Sequence, residues 1–270
     1  MGLLKNLCLS IANLFKRKEV SSYDILERFN LVRNTGTVME QASMSERAKL
    51  ICKILKEYGI FFEVHAETVG KIHLYNIVVP YINASSLDVV VHSAHHDVRN
   101  IDSLNVLDNT ASIANILALA INLRGKRLVK RTTFVFTDGE EFGGLGAECI
   151  AKRIKLGQLG KVTGILVHEL TGSGKMWVNE ITTDWLSEKL CDIDEDMFVH
   201  YTPFNDVNIY TDALLPAVCL GTMPDDQIVM LNKTGMCNYW GKCHKSHDDM
   251  GFANKEDMEI YVEQLKIFSL

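Results

Sequence analysis

Segments rich in β-branched and aromatic residues alternate with amphipathic segments through the middle of the chain. Residues 87–93, 131–137 and 163–167 have the apolar, β-branched character of buried strands. Apolar residues recur at helical spacing at 112–123, and a second helical pattern covers 147–156. Strand, helix and strand in this order predict right-handed crossovers between parallel strands. We therefore expect an α/β fold, a three-layer α/β/α sandwich with a mixed, mostly parallel central sheet.

Further elements are predicted on both sides of this central unit. The pattern predicts helices at 21–33 and 43–58, an antiparallel strand pair at 61–67 and 72–80, a helix at 182–191, a strand at 215–220 and a closing helix at 256–268. Residues 221–242 are predicted to form a long loop, which either shapes a binding site or packs against the core.

The chain is long enough for one α/β domain with a full core. Its 270 residues are 47% hydrophobic, and we place the domain at 21–270. Residues 1–20 are predicted to form an amphipathic segment without the basic start and cleavage site of a secretory signal. No uninterrupted apolar run reaches the ~20 residues that span a membrane.

Charge and cysteine content narrow the class of protein. The formal net charge of −6 gives no basic surface, so nucleic-acid binding is not expected. The seven cysteines are an odd number spread from Cys8 to Cys243, unlike the paired framework of a small secreted protein. We therefore expect reduced cysteines and a cytoplasmic protein.

Two adjacent carboxylates, Glu140 and Glu141, follow the predicted strand at 131–137. Gly143, Gly144 and Gly146 come next and permit a tight turn into the following helix. Because neighbouring ionised carboxylates repel each other, such a pair indicates a bound cation, a shared proton, two separate roles or simply a solvated loop.

Other histidines and carboxylates also follow predicted elements. His95 and Asp97 come after the strand at 87–93, Asp108 stands at the start of the helix at 112–123, and Glu169 follows the strand at 163–167. His244 and Asp248 lie near the C-terminus. Loops at the carboxyl ends of parallel strands share one edge of a sheet, so these side chains are expected to converge there.

These residues occur in five motifs: His95-x-Asp97, Asp108-Asn109-x-Ala111-Ser112, Glu140-Glu141-x-Gly143-x-Leu145-Gly146, Glu169-Leu170-x-Gly172 and His244-x-x-x-Asp248. In this order they resemble the co-catalytic dizinc exopeptidases of the leucyl aminopeptidase and glutamate carboxypeptidase type, peptidase clan MH. The resemblance covers roughly residues 20 to 268. At the position of Glu169, aminopeptidases of this family usually carry Asp and related carboxypeptidases often carry Glu, which leaves open the end of the peptide that is attacked.

The resemblance implies two divalent metal ions, expected to be Zn²⁺. It assigns Asp108 as the bridging ligand, His95 and Glu169 as ligands of one ion, and Glu141 and His244 as ligands of the other. It also implies that Glu140 is the general base for a metal-bridging water, and that Asp97 orients His95. Asp248 would orient His244, a cis peptide bond would join Asp108 and Asn109, and residues 202–206 would support the substrate pocket.

Simpler interpretations exist for several residues. His92, His96 and His168 are expected to be packed or hydrogen-bonded side chains, and Asp102 and Asp138 to cap loops. His247 competes with His244 as a ligand. Cys237, Cys243, His244 and His247 could instead form a structural zinc site, although their spacing is irregular for one.

The leading functional hypothesis is a zinc-dependent metallopeptidase, an exopeptidase that acts as an aminopeptidase on peptide substrates. Alternatives are a dizinc carboxypeptidase and a glutaminyl-cyclase-like acyltransferase, which has this fold but one zinc. A non-catalytic interaction scaffold is disfavoured, because such relatives lose ligands and this sequence keeps all five together with the base.

Overall fold

A computed structural model describes residues 19–32, 43–80, 84–179, 182–191, 199 and 202–270. Seven strands form one sheet: β1 (Glu63–Val69), β2 (Ile72–Val79), β3 (Asp88–His95), β4 (Arg131–Thr137), β5 (Lys161–His168), β6 (Lys175–Asn179) and β7 (Ala217–Met223). Their order across the sheet is β1-β2-β4-β3-β5-β7-β6. The central strands β4, β3, β5 and β7 are parallel, whereas β1 and β2 at one edge and β6 at the other pair antiparallel. The predicted mixed sheet is confirmed.

Helices cover both faces of the sheet. The described helices are α1 (Ser22–Phe29), α2 (Glu46–Glu57), α3 (Ala111–Leu123), α4 (Leu145–Lys155), α5 (Asp184–Cys191), α6 (Asp206–Asp212), α7 (Asp225–Thr234) and α8 (Lys255–Leu265). Buried residues of α1, α2, α3, α5 and α8 form one core. Buried residues of α4, α6 and α7 form a second core on the opposite face.

Successive side chains of the central strands contribute alternately to these two cores. In β3, Val90 and Ala94 belong to the first core, whereas Val89 and Val91 belong to the second. Successive side chains of a strand point to opposite faces, so a strand covered on both sides is apolar at almost every position. This explains why the central strands are buried at most positions, including polar ones such as His92 and Ser93 of β3, and it confirms the three-layer sandwich.

The crossover helix α3 is the most deeply buried helix of the first core. Twelve of its side chains, all except Asn122, are buried. The stretch Val106–Leu123 is long and apolar enough to cross a membrane by composition, but 94% of it lies inside the protein. It is therefore accounted for as the core helix between β3 and β4.

Two parts of the predicted secondary structure need correction. Residues 221–242 are not one loop, because β7 continues to Met223 and α7 follows at Asp225–Thr234. Only Ile228 and Leu231 of α7 are buried, so the apolar stripe that marks a helix is short. The edge strand β6 was also missed, since it has only five residues. Residues 1–18 of the expected amphipathic segment lie outside the described residues.

Candidate active site

The ends of the central strands surround a cavity of about 380 Å³. Strand β3 ends at His95, β4 ends three residues before Glu140, and β5 ends one residue before Glu169. Asp108, Glu140, Glu141, Glu169 and His244 all line the cavity. The expected convergence at one edge of the sheet is therefore observed.

The carboxylate of Asp108 lies between two histidines. Its Oδ1 is 3.1 Å from Nε2 of His95, and its Oδ2 is 3.0 Å from Nε2 of His244. Burial alone would raise the pKa of Asp108, but the contacts with His244 and His95 outweigh it and lower that pKa. The peptide bond between Asp108 and Asn109 is cis, as expected. One carboxylate thus offers an oxygen atom to each side of the site.

Two groups of potential metal ligands share Asp108. His95, Asp108 and Glu169 form the first group, and Asp108, Glu141 and His244 form the second, with donor atoms within 4.8 Å of one another in each group. Nε2 of His95 is 3.8 Å from Oε2 of Glu169, and Nε2 of His244 is 3.0 Å from Oε2 of Glu141. The geometry therefore provides two adjacent sites, each with a histidine nitrogen and carboxylate oxygens.

Among the described residues, these are the two groups that bring at least three such donors together. The alternative zinc site of Cys237, Cys243, His244 and His247 does not form. His244 points its Nε2 at Asp108 and Glu141, and His247 belongs to neither group. The structure therefore favours His244 over His247 as the candidate ligand.

The donor atoms suit a divalent cation. Oε1 of Glu141 and Oε1 of Glu169 are buried and accept no hydrogen bond from the described residues. Burial raises the pKa of both carboxyl groups, and repulsion from Asp108 adds to the shift. A cation would stabilise their ionised forms, and histidine nitrogen with carboxylate oxygen is a ligand set that zinc accepts.

Asp97 connects His95 to the turn that carries the two glutamates. Its Oδ1 accepts the backbone N–H of Glu140 at 3.1 Å, and its Oδ2 accepts that of Glu141 at 3.1 Å. Oδ1 also lies 3.4 Å from Nδ1 of His95, which is long for a hydrogen bond but close for an ion pair. One buried carboxylate thus positions three candidate site residues.

The turn itself depends on two glycines. Gly139 precedes Glu140 with a φ of 84°, in the left-handed region that glycine adopts without steric cost. A Cβ atom on Gly146 would lie 2.2 Å from the carbonyl oxygen of Asp138, so only glycine fits that position. These features place Glu140 and Glu141 at the mouth of β4, where the sequence pattern predicted them.

Glu140 differs from Glu141 in its surroundings. It is half-buried at the cavity, and its carboxylate accepts no hydrogen bond from a described residue. Burial raises the pKa of Glu140 well above its usual value, with further contributions from the charges of Glu169 and Asp206. A raised pKa makes this carboxylate a better proton acceptor, which is what a general base requires.

The expected role of Asp248 needs correction. Its carboxylate does not contact the His244 ring; it accepts the backbone N–H of Leu107 at 2.6 Å and that of Asp108 at 3.0 Å. Asp248 therefore supports the shared carboxylate rather than the histidine.

The remaining histidines near the site are packed, as predicted. Nδ1 of His92 lies 3.0 Å from Nε2 of His168, whose Nδ1 lies 2.7 Å from the Tyr261 hydroxyl. His96 Nε2 lies 3.0 Å from the carbonyl oxygen of Tyr75. Burial lowers the pKa of His92 to about 3 and that of His96 to about 4, so both rings are neutral.

The two loop-capping predictions have different outcomes. Asp138 accepts the backbone N–H of Tyr75 at 3.0 Å, as a capping carboxylate would. In the loop after β3, the cap is instead Asn100, whose side-chain oxygen accepts the backbone N–H of Asp102 at 2.9 Å.

Sequence reasoning missed a buried arginine beneath the site. Arg47 of α2 is 4% exposed; its Nε donates to the carbonyl oxygen of His96 at 2.8 Å and its Nη1 to the Thr110 hydroxyl at 2.7 Å. Burial lowers its pKa to about 10, opposed by the charges of Asp97 and Asp108. Arg47 lies one helical turn from Ile51 on the apolar face of α2. A charged residue on the apolar face of a helix is a sequence signal that could have identified it.

Asp206 was expected only as part of a supporting segment, and it is fully buried beside the site. Its Oδ2 accepts the Thr137 hydroxyl at 2.7 Å, and burial raises its pKa to about 6. Residues 202–205 of the same segment line the cavity, in agreement with the expectation for this stretch.

Comparison with known families gives the class of this protein. A sequence model of peptidase family M28 matches residues 76–259, so the chain belongs to that family, a member of clan MH, the co-catalytic zinc exopeptidases. A search of the curated proteins finds no match. Family membership supports a metal-dependent, peptidase-like enzyme.

Solved structures share the fold at low sequence identity. The LapA aminopeptidase of Legionella pneumophila superposes with a TM-score of 0.69 at 17% identity, over 92% of this chain and 69% of that chain. BSAP, a zinc aminopeptidase from Bacillus subtilis, superposes with a TM-score of 0.60 at 16% identity, over 74% of this chain and 50% of that chain. A glutaminyl cyclase of Porphyromonas gingivalis superposes with a TM-score of 0.70 at 15% identity, over 91% of this chain and 95% of that chain. Both enzyme types therefore share this architecture.

Proposed function

We propose that this protein is a zinc-dependent exopeptidase that removes residues from the free N-terminus of peptides. The observation that carries the proposal is the position of Asp108, whose two oxygens face His95 and His244. A single carboxylate presented to two ligand groups is the arrangement that a pair of adjacent metal ions requires. We assign His95, Asp108, Glu141, Glu169 and His244 as the ligands of two divalent cations.

Two zinc ions, when bound, would polarise the scissile carbonyl and acidify the attacking water. The side chain of His244, which lines the cavity, is 44% exposed, so the cavity is open to solvent beside this ligand and a peptide can approach there. Asp97 and Asp248 hold the ligand-bearing loops through backbone N–H groups. The protein thus fixes its ligands before the substrate arrives, which limits reorganisation during the reaction.

Glu140 would move the proton. It borders the cavity, its carboxylate accepts no hydrogen bond from the described part of the chain, and its raised pKa suits uptake of a proton from water. The same carboxyl group would then donate that proton to the leaving amine. Oε2 of Glu141 lies 3.0 Å from Nε2 of His244, so we assign Glu141 as a metal ligand and Glu140 as the residue that transfers the proton.

A glutaminyl-cyclase-like activity is the second candidate. The chain spans 95% of the Porphyromonas gingivalis cyclase but 69% of LapA, so its length matches the cyclase more closely. Cyclisation of an N-terminal glutamine needs one zinc and no attacking water. The presence of both ligand groups supports hydrolysis instead.

Mass spectrometry of peptides incubated with the zinc-loaded protein separates the candidates. The proposal predicts stepwise removal of N-terminal residues and no reaction of N-acetylated peptides. Loss of ammonia from an N-terminal glutamine without chain cleavage would favour the cyclase. Cleavage that continues on N-acetylated peptides from the carboxyl end would favour a carboxypeptidase. Asp108→Asn, which removes the shared charge, is the control and should abolish each activity.

A further inference from the structure

Arg99 borders the same cavity on the loop that follows β3. It lies two residues beyond Asp97, its side chain is exposed, and its Nη1 donates to the backbone carbonyl of Glu141 at 3.4 Å. The guanidinium is therefore beside the ligand group of Glu141 and His244, and the carbonyl occupies one of its five donors.

Charge balance leaves this cation available to a ligand. The cavity is lined by four carboxylates, those of Asp108, Glu140, Glu141 and Glu169. Two divalent cations would balance these four charges, and Arg99 forms no ion pair with a carboxylate of any described residue. Among the described residues that line the cavity, it is the one arginine or lysine. Its positive charge is thus not needed to hold the metal site together.

Among the described residues, the rest of the cavity wall carries no second arginine or lysine, and its polar side chains include the candidate ligand His244 and the neutral Thr202 and Asn205. Leu170, Trp177, Phe204 and Trp240 form largely apolar surfaces around it. The cavity volume of about 380 Å³ lies near the lower end of the ~300–1,000 Å³ found for small-ligand pockets. A short ligand with one apolar side chain and one negative group fits this combination of size and charge.

We infer that Arg99 binds the free α-carboxylate of a short peptide, so that dipeptides are the preferred substrates of the proposed exopeptidase. This inference rests on the proposed function. In a dipeptide, the carboxylate lies one residue beyond the scissile bond, close to the metal ligands that Arg99 adjoins. A guanidinium can bind both carboxylate oxygens through parallel N–H groups, which gives orientation as well as affinity.

Binding of an uncleavable dipeptide analogue with a reduced peptide bond tests the inference. Calorimetry would compare its free-carboxylate and carboxamide forms on the zinc-loaded parent, Arg99→Gln, Arg99→Lys and Lys242→Gln. Lys242 is a matched control, because it is an exposed cation on the neighbouring turn Trp240–Lys242 and does not line the cavity.

The parent and Lys242→Gln should bind the carboxylate form about 10-fold or more tightly than the carboxamide, as expected for charged hydrogen bonds. Arg99→Gln should reduce this ratio to about one at unchanged zinc content, and Arg99→Lys should retain part of it. A ratio near one in the parent, or a ratio that survives in Arg99→Gln, would overturn the inference.

A third ligand separates two sources of the carboxylate. A carboxamide analogue with a glutamate side chain tests whether an acidic side chain serves Arg99 as well as the chain terminus does. We expect it to bind like the other carboxamide, and tight binding that depends on Arg99 would overturn the dipeptide assignment. Because these are binding measurements, they decide the role of Arg99 even if the protein hydrolyses no peptide, an outcome that would refute the proposed function alone.

Discussion

The carboxylate of Asp248 accepts the backbone N–H of Asp108 at 3.0 Å. The same carboxylate accepts the N–H of the preceding residue, Leu107, at 2.6 Å. Burial raises the pKa of Asp248 to about 6, although the two N–H groups oppose the shift. A residue near the C-terminus thus fixes the backbone that presents the shared carboxylate to His95 and His244.

The variant Asp248→Asn tests this support. Its amide retains one acceptor, but its NH₂ group must face a backbone N–H in place of the second. We expect a loss of about 1–3 kcal/mol of stability from the unsatisfied donor. Zinc affinity should fall by about 10–100-fold, as for other residues that orient metal ligands. Zinc titration and thermal unfolding measure both effects, and Asp249→Asn, at the exposed neighbouring position, should change neither.

The sequence predicted those strands that are buried on both faces of the sheet and those helices that have a long apolar face. β3, β4, β5 and α3 are mostly buried, and the strands contain the apolar runs 89–91, 134–136 and 165–167 because other elements cover them on both sides. By contrast, β6 is a short edge strand and α7 buries only two residues. These two elements are stabilised by tertiary contacts, which the local pattern of apolar and polar residues does not indicate.

The site was predictable to the extent that a residue type implies a role. His95 is the last residue of β3 and Glu169 directly follows β5, and the pairing of these two parallel strands brings the side chains together. The partner of Asp248 was not predictable, because its carboxylate accepts backbone N–H groups, which every residue offers. Arg47 was overlooked because α2 lies far from the motifs in sequence, although a charge on the apolar face of this helix was a signal that could have identified it.

Arg47→Met tests the buried charge beneath the site. Met leaves the buried carbonyl of His96 without the Arg47 donor, which costs about 1–3 kcal/mol, and it removes the positive charge that attracts Asp97 and Asp108. Stability of the zinc-free protein should therefore fall, and added zinc should raise the melting temperature more in this variant than in the parent. Ile51→Ala, a core change on the same helix, should lower stability but leave the zinc-induced shift as in the parent. An equal or smaller shift in Arg47→Met would show that Arg47 does not balance the site's charge.

Asp206 should make stability depend on pH in the zinc-free protein. Its pKa rises from 3.8 to about 6 on folding, so the folded state binds the proton more tightly. Its contribution is fully present below the unfolded pKa and is lost as pH rises through about 6. The loss amounts to about 3 kcal/mol.

Asp206→Asn removes this pH-dependent term and keeps an acceptor for the Thr137 hydroxyl. In chelator, the melting temperature of the variant relative to the parent should rise by several degrees between about pH 4 and about pH 7. Asp212→Asn, an exposed carboxylate at the end of the same helix, is the control and should show no such trend. A pH-independent difference for Asp206→Asn would mean that Asp206 keeps its ordinary pKa.

The two adjacent glutamates have different roles in the proposed mechanism. Glu140→Gln preserves side-chain size but removes the ability to take a proton, whereas Glu141→Gln removes a charged ligand. Glu140→Gln should therefore fold and bind zinc like the parent. Its turnover should fall by about 10²–10⁴-fold with little change in substrate affinity. Glu141→Gln should lose zinc first and activity as a result.

Zinc content and peptide turnover of Glu140→Gln, measured on the same preparation, test the central claim most directly. The account predicts two zinc ions per chain, as in the parent, together with nearly abolished hydrolysis. Loss of zinc from Glu140→Gln, with a zinc-replete but inactive Glu141→Gln, would reverse the two roles. Parental zinc content and parental turnover in both variants would contradict the mechanism altogether.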